Sequence, residues 1–376
     1  PHPLLRGRRM LTSATRILAV LALTAAASCS DGPAPLDPKA SPIVVGMAVS
    51  LTGANAAVGA ELRAGTEIAE QVLNGAGGVL GRAVAVRYVD DVSEKAGAGE
   101  AVRTLLEQGA VAILGPGASG QVMDTQASVA RAAVPQITAW ATSPLLSDAQ
   151  PEAQRFLFRT VPPDDLQGRV VAELLFTGVA AGAGPALGGT CRRAALIASD
   201  DAYGAGLRAV LRERIAARPD LTLVAQAEVP QAPKQDYASE VQALLAAAPE
   251  CLALFLYPRA AAQFLLALRK ACAEPGRTCG PLVIAGGDSL YDPTFLTSSQ
   301  QDATNPRSEN VALDVLGTVP NTRPDTGDYS VFRNLYQMRF GREPGAYAAN
   351  AFDALVLLGL ALQAAKDPAD GAKVRD

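Results

Sequence analysis

Apolar runs of strand length alternate along this chain with stretches whose apolar residues recur every three to four positions. "PIVVGMAVSL" reads as a strand and "GAELRAGTEIAEQVLN" as an amphipathic helix ending at Gly75. "RAVAVRYVD", the helix "GAGEAVRTLLEQG", "AVAILG", a helix over 119–131 and "VPQIT" continue the alternation. It resumes with "RRAALIAS", a helix over 203–217, "LTLVAQAEV", a helix over 236–248, "CLALFLY", a helix over 260–272 and "PLVIAGG". The strands are almost continuously apolar, which predicts parallel sheets covered on both faces. The fold class expected is therefore α/β, with doubly wound parallel sheets.

Two stretches break the rhythm. "FLFRTVPPDDLQG", residues 156–168, ends an extended segment in two prolines just before a helix. It reads either as a crossing between two lobes or as an irregular loop in one long domain. "VALDVLGTVPNTRP", residues 311–324, is a second candidate crossing. "VAAGAGPALGG", residues 179–189, reads as a surface loop; it lacks the spacing of a dinucleotide fingerprint.

In parallel sheets ligands bind beyond the carboxyl ends of the strands. "AVAILG" delivers "PGASGQ", with Ser119 opening a helix, and "VPQIT" delivers "AWATSP", with Thr142 and Ser143 before Pro144. Proline suits a first helical position, so Ser143 is the expected N-cap. "ALIAS" delivers Asp200, Asp201 and Tyr203; "CLALFLY" delivers Tyr257; "PLVIAGG" delivers Asp288 and Ser289. Hydroxyls and free N–H groups at helix starts suit an anion. Phenols and a carboxylate suit a cation with an apolar stem. If the two sets face each other, together they fit a zwitterion. Each residue also has a plainer reading: N-capping for Ser119 and Thr142, packing for Tyr203 and Tyr257, a turn-capping acid for Asp288, core packing for Trp140, and a strand-to-helix turn for Asp90 and Asp91. Of the acidic pair, one is expected to cap the helix and the other to be solvated.

Composition narrows the function classes. The chain has 376 residues, 49% hydrophobic and only 5% aromatic, so the core rests on Ala, Val and Leu. Arg6, Arg8, Arg9 and Arg16 precede "ILAVLALTAAA", a secretory leader pattern over residues 1–28. Cys29 after "AAS" resembles the lipobox of bacterial lipoproteins, with Ala26 where that motif usually has Leu; cleavage as a plain secreted protein is the alternative. "SDGPAPLDPKASP" then reads as a tether to residue 41, and Met10 as a candidate start. The leader holds four of the 33 Lys and Arg and none of the 37 Asp and Glu, so the formal charge goes from −4 to −8 without it. An acidic exported chain is unsuited to nucleic acid. The single histidine, His2, leaves with the leader, which excludes His triads and His-ligated zinc, and no metal or other cofactor is expected. Asp200, Asp201 and Asp288 could serve an exported enzyme, but no nucleophile–base pair is visible and no catalytic residue is assigned. Cys191 and Cys251 each precede an apolar strand, and Cys272 and Cys279 flank one tight loop. Pairing in that order is the arrangement this placement suggests, among the three connectivities four cysteines allow.

The run "GMAVSLTGANAAVGAELRAGTEIAEQVLNGAGGVLGRAVAVRYVDD" resembles the opening of the type I periplasmic binding proteins, the group of the leucine/isoleucine/valine-binding protein. "GPGASG", "VPQITAWATSP", "FRTVPPDDLQG", "DDAYGAG" and "YAANAFDALVLLGLALQAA" resemble its later landmarks in order, over residues 42 to about 366. The resemblance implies two lobes joined by a hinge of crossing strands: residues 42–160 with 317–376, and residues 161–316. It implies that Ser119, Ala141 (through its backbone) and Thr142 hold a ligand carboxylate, that Asp288 pairs with an α-ammonium, and that Tyr203 and Tyr257 close from the second lobe. Trp140 and Val58 would wall the pocket. Departures are Ala118, where the family often has a second serine, the bulk of Trp140, and a pattern that in relatives runs on past "AAKDPADGAKVRD". The function implied is a lipid-anchored receptor that hands an amino acid or close analogue to an ABC permease and touches the membrane only through its anchor. The alternative is a sensory receptor domain for an amide or urea-like ligand.

Overall fold

The computed structural model describes residues 36–151, 155–178, 188–276, 279–301, 309–320 and 327–376. The leader, Cys29, most of the tether and residues 179–187 lie outside these described residues. The first half of the fold runs β1 (Ile43–Val49), α1 (Ala56–Gly75), β2 (Val84–Asp90), α2 (Lys95–Glu107), β3 (Ala112–Leu114), α3 (Ser119–Arg131), β4 (Gln136–Thr138), a 3-10 turn (Pro144–Asp148) and β5 (Leu157–Arg159). These strands form one parallel sheet in the order β2-β1-β3-β4-β5.

The chain then enters a second parallel sheet, ordered β10-β9-β8-β6-β7. Its elements are α4 (Asp164–Phe176), β6 (Arg193–Ser199), α5 (Ala202–Ala216), β7 (Thr222–Val229), α6 (Ala238–Ala246), β8 (Cys251–Phe255), α7 (Pro258–Cys272), β9 (Val283–Gly286), a 3-10 turn (Asp288–Leu290), α8 (Pro293–Ser298) and β10 (Val315–Gly317). Gly317, assigned from the sequence to the first lobe, pairs with Gly286 and so ends the second sheet. The return crossing starts one residue later because β10 needs that last backbone pair. The chain closes with α9 (Gly327–Phe340), α10 (Ala348–Ala365) and α11 (Gly371–Arg375); α9 and α10 pack on α1 of the first half.

The continuous apolar strands are explained by their surroundings. Every residue of β8 is buried, because helices cover both faces of the sheet. Burying each Leu or Phe of this kind stabilises the fold by about 1.5–3 kcal/mol. Helix α7 begins at Pro258, two residues before the expected start, since a proline at the first turn loses no hydrogen bond. Helix α10 crosses α1 closely enough that a Cβ on Gly65 would lie 1.9 Å from the Ala348 carbonyl oxygen. Disulfides join Cys191 to Cys251 and Cys272 to Cys279, with Cα separations of 5.9 and 5.6 Å. The first ties the starts of β6 and β8, which are paired neighbours.

Candidate ligand-binding site

The C-terminal ends of both sheets meet around one enclosed cavity. It is narrow, about 10 Å³, room for no more than a single water, and is lined by Ala118, Ser119, Trp140, Thr142, Tyr203, Tyr257, Asp288 and Ser289. The first-sheet wall is made by two loops. β3 leads to Ala118, whose methyl group cannot cap α3; instead the Gln121 side chain accepts from the Ala118 N–H at 3.1 Å. Ser119 then starts α3, so a hydroxyl and a helix N-terminus open on the cavity. β4 leads to Trp140 and Thr142, both buried. Ser143 caps the 3-10 turn, its Oγ accepting from the Leu145 N–H at 3.3 Å. The same hydroxyl donates to the Ala202 carbonyl at 2.6 Å, reaching across to the second half.

The second-sheet wall is carboxylate and phenol. Tyr203 Oη lies 3.2 Å from Asp288 Oδ1 and 2.9 Å from Ser289 Oγ. Tyr257 donates to Asp201 Oδ2 at 2.8 Å, while Asp201 Oδ1 accepts from the Gly204 N–H and caps α5. Asp200 is exposed. Tyr347, at the start of α10, donates to Asp288 Oδ2 at 2.5 Å. Gly287 makes this approach possible, since a Cβ there would sit 2.3 Å from Tyr203 Oη. Ring centroids of Trp140 and Tyr257 are 6.1 Å apart, those of Trp140 and Tyr347 6.3 Å, and those of Tyr203 and Tyr257 5.5 Å. Four aromatic rings beside a buried carboxylate form the kind of cage that holds an ammonium.

Burial sets the charge of the site. It raises Asp288 above the usual carboxylate range, against the lowering effect of the hydrogen bonds from Tyr347 and Tyr203. Burial, then the neighbouring carboxylates, raise Tyr203, Tyr257 and Tyr347 well above the ordinary phenol value, so all three remain neutral donors. Behind Asp288 lies a second buried acid, Asp164, raised well above its ordinary value by burial and by Asp288. The Gln167 amide, its NH2 turned to the acids, donates to Asp288 Oδ1 and Asp164 Oδ1, each at 3.0 Å. Among the described residues, no Lys, Arg or His lines the cavity.

Of the residues singled out in the sequence, Ser119, Trp140, Thr142, Tyr203, Tyr257 and Asp288 line this cavity together. Ala141 does not. Its backbone N–H donates to Thr138 Oγ1 at 3.2 Å. Val58 lines a wider, open cleft of about 750 Å³ instead, with Leu290, Tyr291, Leu316 and Tyr347. Asp164, Gln167 and Tyr347 were not singled out. Asp164 and Gln167 sit in "PPDDLQG", which reads locally as a crossing and a helix start, and Tyr347 precedes an apolar helix it could merely cap. The available signal was position: a helix that begins at a crossing begins at the cleft.

A family model described as periplasmic binding protein matches residues 42–376. The chain is similar to Leu/Ile/Val-binding protein homolog 1 of Brucella abortus, 29% identical over 134 residues. That alignment covers 36% of this chain and 35% of the relative, so the chain spans about a third of that relative's length. It is also similar to the chemotactic signal transduction system substrate-binding protein BasB of Halobacterium salinarum, 27% identical over 332 residues, 87% of this chain and 71% of the relative. Among solved structures, the branched-chain amino acid transporter substrate-binding protein LivJ of Streptococcus pneumoniae, in complex with isoleucine, shares the fold. Its TM-score is 0.69 at 21% identity, over 89% of this chain and 88% of that one.

Proposed function

The chain belongs to the periplasmic binding protein family, whose members bind rather than catalyse, and we propose that it captures an amino acid or close analogue between its two lobes and delivers it to an ABC importer. The observation that carries this reading is the polarity of the cavity. Ser119, Thr142 and the N-terminus of α3 offer neutral donors to an anion on one wall, and Asp288 within its aromatic ring offers a cation site on the other. The ligand carboxylate lies on the first wall and its ammonium on the second. Binding closes the hinge, and Tyr203 and Tyr257 complete the enclosure. A dissociation constant near ~1 μM corresponds to about −8 kcal/mol. A few charge-assisted hydrogen bonds of about 1.5–3 kcal/mol each reach that value. Export and anchoring through Cys29 follow from the leader pattern and keep the receptor outside the cytoplasm.

The test is a thermal-shift screen of the full chain against the twenty standard amino acids, simple amides and urea. The expected result is a Tm rise for amino acids that Asp288→Ala abolishes. Stabilisation by an uncharged amide alone overturns the zwitterion assignment. The similarity to BasB over most of the chain favours one second reading, a receptor feeding a signalling system. Permease and ATPase genes beside this one support transport; kinase or regulator genes support sensing.

A further inference from the structure

Asp164 is the first residue of α4 and is 1% exposed. Its Oδ1 accepts from the Gln167 amide at 3.0 Å, and its backbone N–H donates to the Thr142 carbonyl at 2.9 Å. Its Oδ2 is buried with no hydrogen-bond partner. Asp288, held by the same amide, has three further polar neighbours in the Tyr347 and Tyr203 phenols and Ser289. The charged groups that act on Asp164 besides Asp288 are Arg159 on β5, half-buried, whose guanidinium donates to the Thr142 and Ser143 carbonyls, and Asp165, which adds a second negative charge. Tyr203 from α5 and Tyr347 from the segment before α10 are neutral, as argued above. Two buried acids thus share one amide bridge, and Arg159 is the cation that acts on Asp164 among the described residues.

Two ionised carboxylates so placed repel strongly. Asp288 receives the Tyr347 and Tyr203 phenols besides the shared amide, so it is the member that stays ionised; Asp164, with the amide, the Thr142 hydroxyl and an Oδ2 that has no partner, is the member that carries hydrogen. We propose that Asp164 and Asp288 hold a single proton between them while the cavity is empty, and that an ammonium-bearing ligand displaces it. In that step the O–H bond of Asp164 breaks and its proton goes to bulk water. The ammonium keeps its three protons and places its positive charge beside Asp288, so the pair goes from one negative charge to two as the cation arrives. Asp164 acts through Asp288 as a positioning residue and sets a demand for full positive charge. A neutral amide has no charge with which to displace the proton and binds without exchange. The inference rests on the cavity being the ligand site.

The experiment takes the amino acid that gives the largest Tm rise among the twenty and titrates it into the full chain by calorimetry. Two buffers of different ionisation enthalpy are used at each pH between 5 and 7. The expected result is release of about one proton per ligand, with affinity rising about tenfold per pH unit until the pair has lost its proton. Asp164→Asn removes both the release and the pH slope while leaving a binding signal. Binding by the unaltered protein with no proton release overturns the inference, whether or not the variant folds. Failure of every amino acid to shift Tm overturns instead the reading of the cavity.

Discussion

Asp288 shows how far one residue can be read from a chain and where the reading stops. Its position after an apolar strand placed it at a sheet mouth, and there it lies, with Tyr203 in hydrogen-bond reach. Its partner Asp164 was hidden because an acid after two prolines has an ordinary local role at a helix start. Gln167 lies only three residues on in the same helix, but nothing in that stretch encodes that its amide also reaches Asp288, at 3.0 Å. The Ala141 backbone illustrates the same limit: whether its N–H is free depends on Thr138, three residues back, whose Oγ1 accepts from it at 3.2 Å. The raised acids have a consequence for stability. A carboxyl raised above its unfolded value binds protons more tightly when folded, so its contribution is fully present below the unfolded value of about 4 and is lost as pH rises through the folded value. Both Asp164 and Asp288 are shifted upward. The ligand-free protein should therefore melt higher at mildly acidic than at neutral pH, and Asp164→Asn should flatten that slope. A melting series against pH, with and without the substitution, checks it; a slope that Asp164→Asn leaves unchanged contradicts the assignment.

At the scale of elements, period and punctuation carried most of the information. Helix α3 falls on 119–131 as the pattern indicates, while α6 spans Ala238–Ala246, shorter at each end than the periodic stretch. The shortening is physical: Tyr237 turns inward at the N-cap position, where its Oη accepts from the Lys234 N–H at 3.1 Å. What no pattern displays is which helices touch. The crossing of α1 and α10 depends on Gly65 against the Ala348 carbonyl, 283 residues apart in sequence. Tyr347 sits next to that contact. Gly65→Ala should therefore push α10 away and loosen the Tyr347–Asp288 bond at the same time. The expected result is a loss of about 1–3 kcal/mol in stability, typical of overpacking, together with weaker ligand binding. Denaturant titration and calorimetry on one sample decide it; unchanged affinity with lowered stability would separate the crossing from the site.

At the scale of the whole molecule, two sheets present their carboxyl ends to one another, and the chain crosses between them after Arg159 and again after Gly317. Contacts already span the gap: the Ser143 hydroxyl on the Ala202 carbonyl and the Tyr347 phenol on Asp288. With about 10 Å³ left between them, the lobes must part at these contacts to admit a ligand and shut again around it. The most direct measurement is a crystal structure of the chain with the amino acid that stabilises it most. The account predicts the ammonium within hydrogen-bond distance of Asp288 and the carboxylate against Ser119 and Thr142, enclosed by Tyr203 and Tyr257. A ligand seated only in the outer cleft beside Val58, or one whose carboxylate faces Asp288, would contradict it.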